Sequence, residues 1–456
     1  MISRKNIILI TASVSVFFEA LDIAIVNLAM PLIQEQFKLA NDQVQWLQTL
    51  YVLLYGGFLI IGGKLADVMG RKKVFMAGAM LFLLTSLGAA LSDRFAMLAL
   101  FRATQGIAAA LIMPSALSII TNTFTEQRER SKAIGIFSSF AAIGSGSGLS
   151  VGGLIATQFG WQAVFYINIP VITLALLAAA LYIDRDVSSS QRRLPDVLSG
   201  VLISAILVAL SYMIHLAGSF RHHVLLILTL AAGTTLALKW LIHRLNTQQE
   251  PFIQFSLFRA GQIITGNVAM VLLGAFFTGF LFIASLLLQN NLQFSAAQAG
   301  LMLFPFSILS AVVGKVMLPA VLKRFDPFQT AIAGMLLMVM GACALLCAMS
   351  FGYNLVLLLI SFACVSGIGI ATCFTTLTVI CVQPVPESQH GLASSISATA
   401  YFLGAGLGLT LLSACIDVHA VNNNVTKLPV VMLMLYAFAG TLALMVFTVR
   451  RNRIVA

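Results

Sequence analysis

The sequence predicts an all-α polytopic membrane protein, on three observations: its bulk composition, the recurrence of runs long enough to cross a bilayer, and the placement of basic residues between those runs. Of its 456 residues, 60% are apolar and 9% charged, and the mean hydropathy is +0.99, outside the range of soluble globular domains. A helix needs about 20 apolar residues to cross some 30 Å of hydrocarbon. Fourteen runs meet that length, near 7–33, 44–65, 73–91, 95–121, 133–157, 163–183, 195–217, 223–243, 262–289, 297–320, 328–350, 354–381, 390–415 and 429–449. The pair at 195–243 is joined only by the short GSFRHH, so twelve spans is the alternative count.

The loops between the runs set the orientation. With an even number of spans and the N-terminus inside, Lys64, Arg71, Lys72, Lys73, Arg128, Arg130, Lys132, Arg185, Arg192, Arg193, Arg244, Arg259, Lys323, Arg324, Arg450, Arg451 and Arg453 fall on the cytoplasmic side. Lys38, Arg94, Arg221 and Lys427 face out. This positive-inside bias places both termini in the cytoplasm and the chain in an inner (plasma) membrane. Topology therefore explains the net charge of +11, and no nucleic-acid partner is expected. The first run has the basic start of a signal peptide but continues past Asp22 to Ile33 without a small-residue cleavage site, so it reads as a retained first span. The six cysteines all lie in or beside apolar runs of the C-terminal half without CxxC pairs or nearby histidines; they are read as packing residues, and no metal site or cofactor is expected.

A weak internal repeat suggests the domain plan. Gly144-Ser-Gly-Ser-Gly148 in the fifth run resembles Gly404-Ala-Gly-Leu-Gly408 in the thirteenth, and Gly63-Lys64 resembles Gly314-Lys315. If 195–243 is an insertion, these pairs hold matching places in two six-span halves, a recurrent transporter plan. The expected domains are a bundle over 1–184, a linker with two extra spans over 185–261, and a second bundle over 262–456.

Charges inside the spans are the candidate functional groups. Glu19 and Asp22 sit one helical turn apart in the first run, and Arg102 lies in the fourth. Such groups cost about 2.5–3.5 kcal/mol each on insertion scales and mark ion or proton paths. At 1.5 Å per residue, Asp22 is about 16 Å, Glu19 about 20 Å and Arg102 roughly 10 Å in from the outer ends of their spans, so a long guanidinium side chain closes most of the gap. A fixed structural ion pair is the alternative. Asn27, Gln105, Met113, Asn267 and Gln289 are candidate cavity residues, each equally suited to interhelical packing or hydrogen bonding.

Ordered motifs carry a family resemblance. Gly63-x-Leu65-Ala66-Asp67-x-x-Gly70-Arg71-Lys72 follows the second span. Leu21-Asp22-x-x-Ile25-Val26-Asn27-x-Ala29-x-Pro31, Arg102-x-x-Gln105-Gly106 and Phe165-x-Ile167-Asn168-Ile169-Pro170 occupy the first, fourth and sixth. Together with Leu287-Leu288-Gln289 and Gly391-x-Ala393-Ser394, they resemble the fourteen-span drug:proton antiporter branch of the major facilitator superfamily, over nearly the whole chain. The resemblance implies a fold of two six-helix bundles plus two inserted helices, a conformational latch from Asp67 and Arg71 flanked by Gly63 and Gly70, and proton coupling at Asp22 and Arg102. Glu19 lies outside the motif and is read from its position alone, as a second proton carrier or the partner of a cationic substrate. Gly144, Gly148, Gly152 and Gly153 stand where the antiporter motif sits, with Leu149 in place of its usual proline.

The expected function is proton-coupled export of amphipathic, cationic drugs or metabolites by alternating access, with lipid, protons and a small-molecule substrate as partners. The sequence does not fix the assembly, for which a monomer suffices. The alternative is export of a lipid, siderophore or other anionic metabolite with Arg102 as counter-ion. A membrane enzyme or receptor is disfavoured: no chemistry-bearing cluster lies at a membrane face, and no loop is long enough to form an extramembrane module.

Overall fold

A computed structural model describes residues 3–184, 196–217, 220–247, 261–385, 390–417 and 425–455. Long helices fill it: α1 Arg4–Phe37, α2 Trp46–Met69, α3 Arg71–Ala90, α4 Phe95–Thr123, α5 Gln127–Phe159, α6 Ala163–Tyr182, α7 Val197–Ala217, α8 Phe220–Thr247, α9 Gly261–Asn291, α10 Ala296–Leu322, α11 Pro327–Ser350, α12 Leu355–Val382, α13 His390–Asp417 and α14 Lys427–Val455. Among the described residues, thirteen of these are long and apolar enough to cross a membrane. The remaining one, α5, occupies the place of the predicted fifth span. Both α7 and α8 are present, which favours fourteen spans over twelve.

Several helices outrun their hydropathy. The first run covers 7–33, yet α1 extends from a Ser3 cap, whose hydroxyl accepts from the Asn6 amide, to Lys38, whose left-handed backbone (φ 53°) closes the last turn on Gln34 and Glu35. Polar turns continue a helix into the interface because the backbone is already paired there.

The helices form two bundles, α1–α6 and α9–α14, with α7 and α8 beside them. The repeat seen in sequence is a repeat in space. A Cβ at Gly144 would overlap the Phe17 carbonyl, one at Gly148 would crowd Leu21 and Ala24, and one at Gly152 would overlap Ile25, so α5 lies backbone-close on α1. Gly404 and Gly408 repeat this for α13 on α9, against Val271 and Ala275. Gly63 faces Pro114 as Gly314 faces Ala371.

Gly153 points elsewhere: a Cβ there would overlap the Ala296 carbonyl of α10, across the two halves. Beside it the Ala297 amide donates to the Thr157 hydroxyl (3.1 Å), and the Ser285 hydroxyl donates to the Asn27 carbonyl (2.7 Å). One buried apolar cluster accordingly joins Leu28, Ile33 and Trp161 to Leu286, Leu287 and Ala299, at the end opposite the basic loops. At the basic-loop end a second core is built from Phe75, Phe82, Ile112, Ile119, Phe137 and Ile172 of the N-terminal bundle, and Ala405 and Phe402 of α13 join it. A second seam runs between α2 and α13, where Gly56 meets Phe402 and Gly406 meets Leu53. Helix α7 seals its flank through Gly200 against Ile61 and Ser204 against Gly57. Asp196 and Arg244 then tie the base of α7 to α8 by a bidentate ion pair (2.9 Å).

Among the described residues, three π-helical turns, Leu287–Asn291, Val313–Met317 and Ala363–Gly369, interrupt α9, α10 and α12, all in the C-terminal bundle. The ends of the expected linker, 185–195 and 248–260, which include Arg185, Arg192, Arg193 and Arg259, lie outside the described residues. So do the side chains of Arg128, Leu149, Arg221, Arg450, Arg451 and Arg453.

Candidate functional site

The site grows from one residue on each of several helices of the N-terminal bundle. Gly106 lets α4 approach the Tyr51 backbone of α2, where a Cβ would overlap the Tyr51 carbonyl. That contact brings Arg102, one turn earlier on α4, under the Tyr51 ring, with the guanidinium carbon 4.3 Å from the ring centroid. From there Arg102 Nη1 reaches Asp22 Oδ2 of α1 at 2.5 Å, and both side chains are 0% exposed.

A buried ion pair recovers its desolvation cost only if its remaining polar atoms are also met. Here Asn168 at the start of α6 donates to Asp22 Oδ1 (2.8 Å). Gln105, three residues after Arg102 and thus on the same helix face, accepts from Arg102 Nη1 (2.9 Å) and donates to Ser86 Oγ of α3 (2.8 Å). Among the described residues, Arg102 Nε and Nη2 have no hydrogen-bond partner.

Glu19 forms a second, adjoining polar centre. It is 4% exposed and accepts a hydrogen bond from the Tyr55 hydroxyl, while its Oε2 has no partner among the described residues. The Tyr55 ring packs on Phe402 of α13, with centroids 4.2 Å apart and planes 31° apart. The acid on α1 is therefore linked through one tyrosine to the other half of the molecule.

The structure brings Asp22, Arg102 and Gln105 together, so Gln105 serves the ion pair. The other cavity candidates are dispersed. Asn27 and Asn267 each donate to a carbonyl one turn earlier, Ile23 (3.2 Å) and Ile263 (2.8 Å), and both leave Oδ1 without a partner. Met113 packs on the basic-end core of its bundle. Gln289 donates to Ser285 (3.0 Å) and borders a cleft of about 940 Å³ at the opposite end, among Glu35, Lys38, Thr157 and Asn291. Asp67 is exposed and Arg71 half-buried, on either side of Gly70, whose φ of 104° makes the turn between α2 and α3. Sequence reasoning gave no role to Ser86, Tyr51 or Tyr55. A tyrosine pair four residues apart in an apolar span was the available signal, since it places two hydroxyls on one helix face.

Two pseudo-repeated bundles of membrane-length helices, one of them built around a buried ion pair, are the architecture of a multi-pass membrane transporter. The chain belongs to the Major Facilitator Superfamily, whose family model matches residues 12–409. It is 29% identical to the multidrug resistance protein Stp of Mycobacterium tuberculosis (strain CDC 1551 / Oshkosh), over 89% of this chain and 75% of that one. It is 31% identical to the tetracenomycin C resistance and export protein of Streptomyces glaucescens (89% and 74%), and 29% identical to the multidrug efflux pump LfrA of Mycolicibacterium smegmatis (90% and 80%). Among solved structures, a point mutant of the nucleoside transporter NupG superposes with a TM-score of 0.72 at 12% identity, covering 97% of this chain and 99% of that one. A D-xylose–proton symporter gives 0.67 at 17%, covering 97% of each. Both share the fold.

Proposed function

We propose that the protein exports amphipathic, cationic drugs or metabolites across the plasma membrane in exchange for protons, with both termini in the cytoplasm. The observation that carries this reading is the fully buried Asp22–Arg102 pair beside a second buried acid, Glu19, whose Oε2 is unpartnered. Protonation of Asp22 removes the charge–charge attraction between α1 and α4 at this pair and leaves Arg102 charged and buried, a state the bundle relieves by rearranging. Deprotonation toward the cytoplasm restores the pair. Glu19 offers negative charge to a cation at the seam between the halves. The names of the relatives, two multidrug proteins and one resistance and export protein, support export of drugs.

In this reading the Gly153–Ala296 contact closes the outer end, and Asp67 with Arg71 forms the latch of the cytoplasmic end. Gly144, Gly148 and Gly152 hold α5 against the helix that carries the acids. The division into 1–184, 185–261 and 262–456 follows the same assignment.

The test is dissipation of an imposed pH gradient in proteoliposomes, on addition of lipophilic cations, anions or lysolipids, with Asp22→Asn as control. Proton flux on adding a cation that disappears in the variant supports the reading; undiminished flux in Asp22→Asn overturns it. One observation favours the anionic alternative: Arg102 Nε and Nη2 are free of hydrogen-bond partners and suit an anion. Transport of lipids or anions with silence toward cations would select it.

A further inference from the structure

The two buried acids share no hydrogen bond, yet one side chain stands between the groups they engage. The Tyr51 ring covers the Arg102 guanidinium that pairs with Asp22. Its edge meets the ring of Tyr55, at 6.0 Å between centroids and 88° between planes, and Tyr55 donates to Glu19. Tyr51 and Tyr55 are successive turns of α2, as Glu19 and Asp22 are of α1, so the two helices present matched pairs to each other.

Tyr51 itself is 0% exposed, and its hydroxyl has no partner among the described residues. A buried phenol ordinarily spends its hydroxyl on a hydrogen bond. Here the unpartnered polar atoms gather in one neighbourhood: Tyr51 Oη, Glu19 Oε2, and Arg102 Nε and Nη2, with Glu19, Asp22 and Arg102 all within electrostatic range of the Tyr51 hydroxyl. Together they offer an acceptor carboxylate oxygen, a hydroxyl able to accept and donate at once, and two donors.

We infer that Tyr51 is a proton-relay residue joining Glu19 to Asp22, so that the two acids exchange one proton along a short path of the Tyr51 hydroxyl and water instead of titrating independently. This deepens the proposed proton coupling and rests on it. The transfer is a concerted hop. A protonated Glu19 gives its proton through a bridging water to the Tyr51 oxygen, while the Tyr51 hydroxyl passes its own proton on, again through water, toward Asp22. Tyr51 ends neutral, Glu19 becomes a carboxylate, and Asp22 becomes an acid released from Arg102. Net charge is conserved inside the bundle, so no isolated charge crosses the apolar interior. The groups facing the path are Glu19 and Asp22 on α1, Tyr51 and Tyr55 on α2, Arg102 on α4 and Asn168 on α6.

The relay also gives the charge site a route to the other half. Loading Glu19 alters what Tyr55 donates to, and Tyr55 rests on Phe402 of α13. A proton moved between the acids thus reaches the seam that alternating access must open.

The experiment compares pH-gradient-driven export with substrate exchange in proteoliposomes of purified Tyr51→Phe, Glu19→Gln and the double variant, in H₂O and D₂O. Tyr51→Phe is expected to lower the ratio of coupled export to exchange by about a hundredfold, the low end for a positioned proton-transfer group, and to change the solvent isotope effect. The double variant should then lose no more than Glu19→Gln alone, because one path is broken twice. An unchanged ratio in Tyr51→Phe, equal losses in export and exchange, or additive losses in the double variant would each overturn the relay. If Tyr51→Phe does not fold, Glu19→Gln still decides: an isotope effect equal to that of the parent protein overturns the relay, and an altered one supports it. Asp22→Asn run in parallel separates the two levels, since retained coupling there would refute the proposed function itself.

Discussion

The two bundles share a packing device and differ in what they do with it. In each, a glycine-rich fifth helix lies backbone-close on the first, Gly144 and Gly148 on Phe17 and Leu21, Gly404 and Gly408 on Val271 and Ala275. Counting along the first helices from those contacts, Leu273 and Phe276 stand where Glu19 and Asp22 do, and both are fully buried. The N-terminal bundle holds a hydrogen-bonded ion cluster at that depth; the C-terminal bundle holds stacked rings, Phe276 on Phe280 and Phe280 edge-on to Phe362, together with the three π-turns. Among the described residues, the buried ion pair belongs to one half, and stacked rings with π-turns belong to the other.

The comparison breaks first if charge proves dispensable. Asp22→Asn is expected to cut gradient-driven export by about a hundredfold or more, whereas Phe276→Leu in the matching position retains coupling; equal losses in flux assays would erase the asymmetry. The next effect is on stability. Arg102→Met leaves Asp22 buried without its ion partner and is expected to cost about 3–5 kcal/mol, while Asp22→Leu with Arg102→Met recovers most of that without recovering export; thermal unfolding in detergent reads both. The shared device makes a symmetric prediction, since Gly144→Val and Gly404→Val each press on a backbone carbonyl and are expected to destabilise by a similar amount, about 1–3 kcal/mol. Unequal melting shifts would show that only one half depends on that contact. The smallest effect is expected at the partly exposed Asp196–Arg244 pair, where Arg244→Gln costs under about 1 kcal/mol and leaves export intact in the same flux assay.

Much of this was legible because charge is conspicuous in an apolar sequence. Asp22, Glu19 and Arg102 announce themselves by interrupting spans, and helical rise alone brings Asp22 and Arg102 near one depth. Their companions do not. Asn168 and Ser86 are residue types that commonly satisfy themselves within a helix, and only tertiary packing makes them partners of Asp22 and Gln105. Tyr51 and Tyr55 barely disturb hydropathy, so the aromatic connection to α13 was invisible. Gly153 reads as one more member of a glycine series, yet one residue of helix rotation past Gly152 turns it from α1 to α10. The π-turns carry no compositional mark, and the helix ends overran their hydropathy because backbone pairing continues where apolar side chains stop.

The Gly153–Ala296 contact has a consequence for ionic strength. At that seam the two halves touch through backbone and through the hydrogen bonds of Thr157 and Ser285, with no formal charge at the contact points. Dissolved ions screen charge and leave dispersion contacts alone. Opening this end is therefore expected to proceed at the same rate in dilute buffer and in concentrated salt, while any step governed by the exposed Asp67 and the half-buried Arg71 on either side of the Gly70 turn slows or quickens with it. Salt becomes a means of telling which end of the protein moves in a given phase of the cycle.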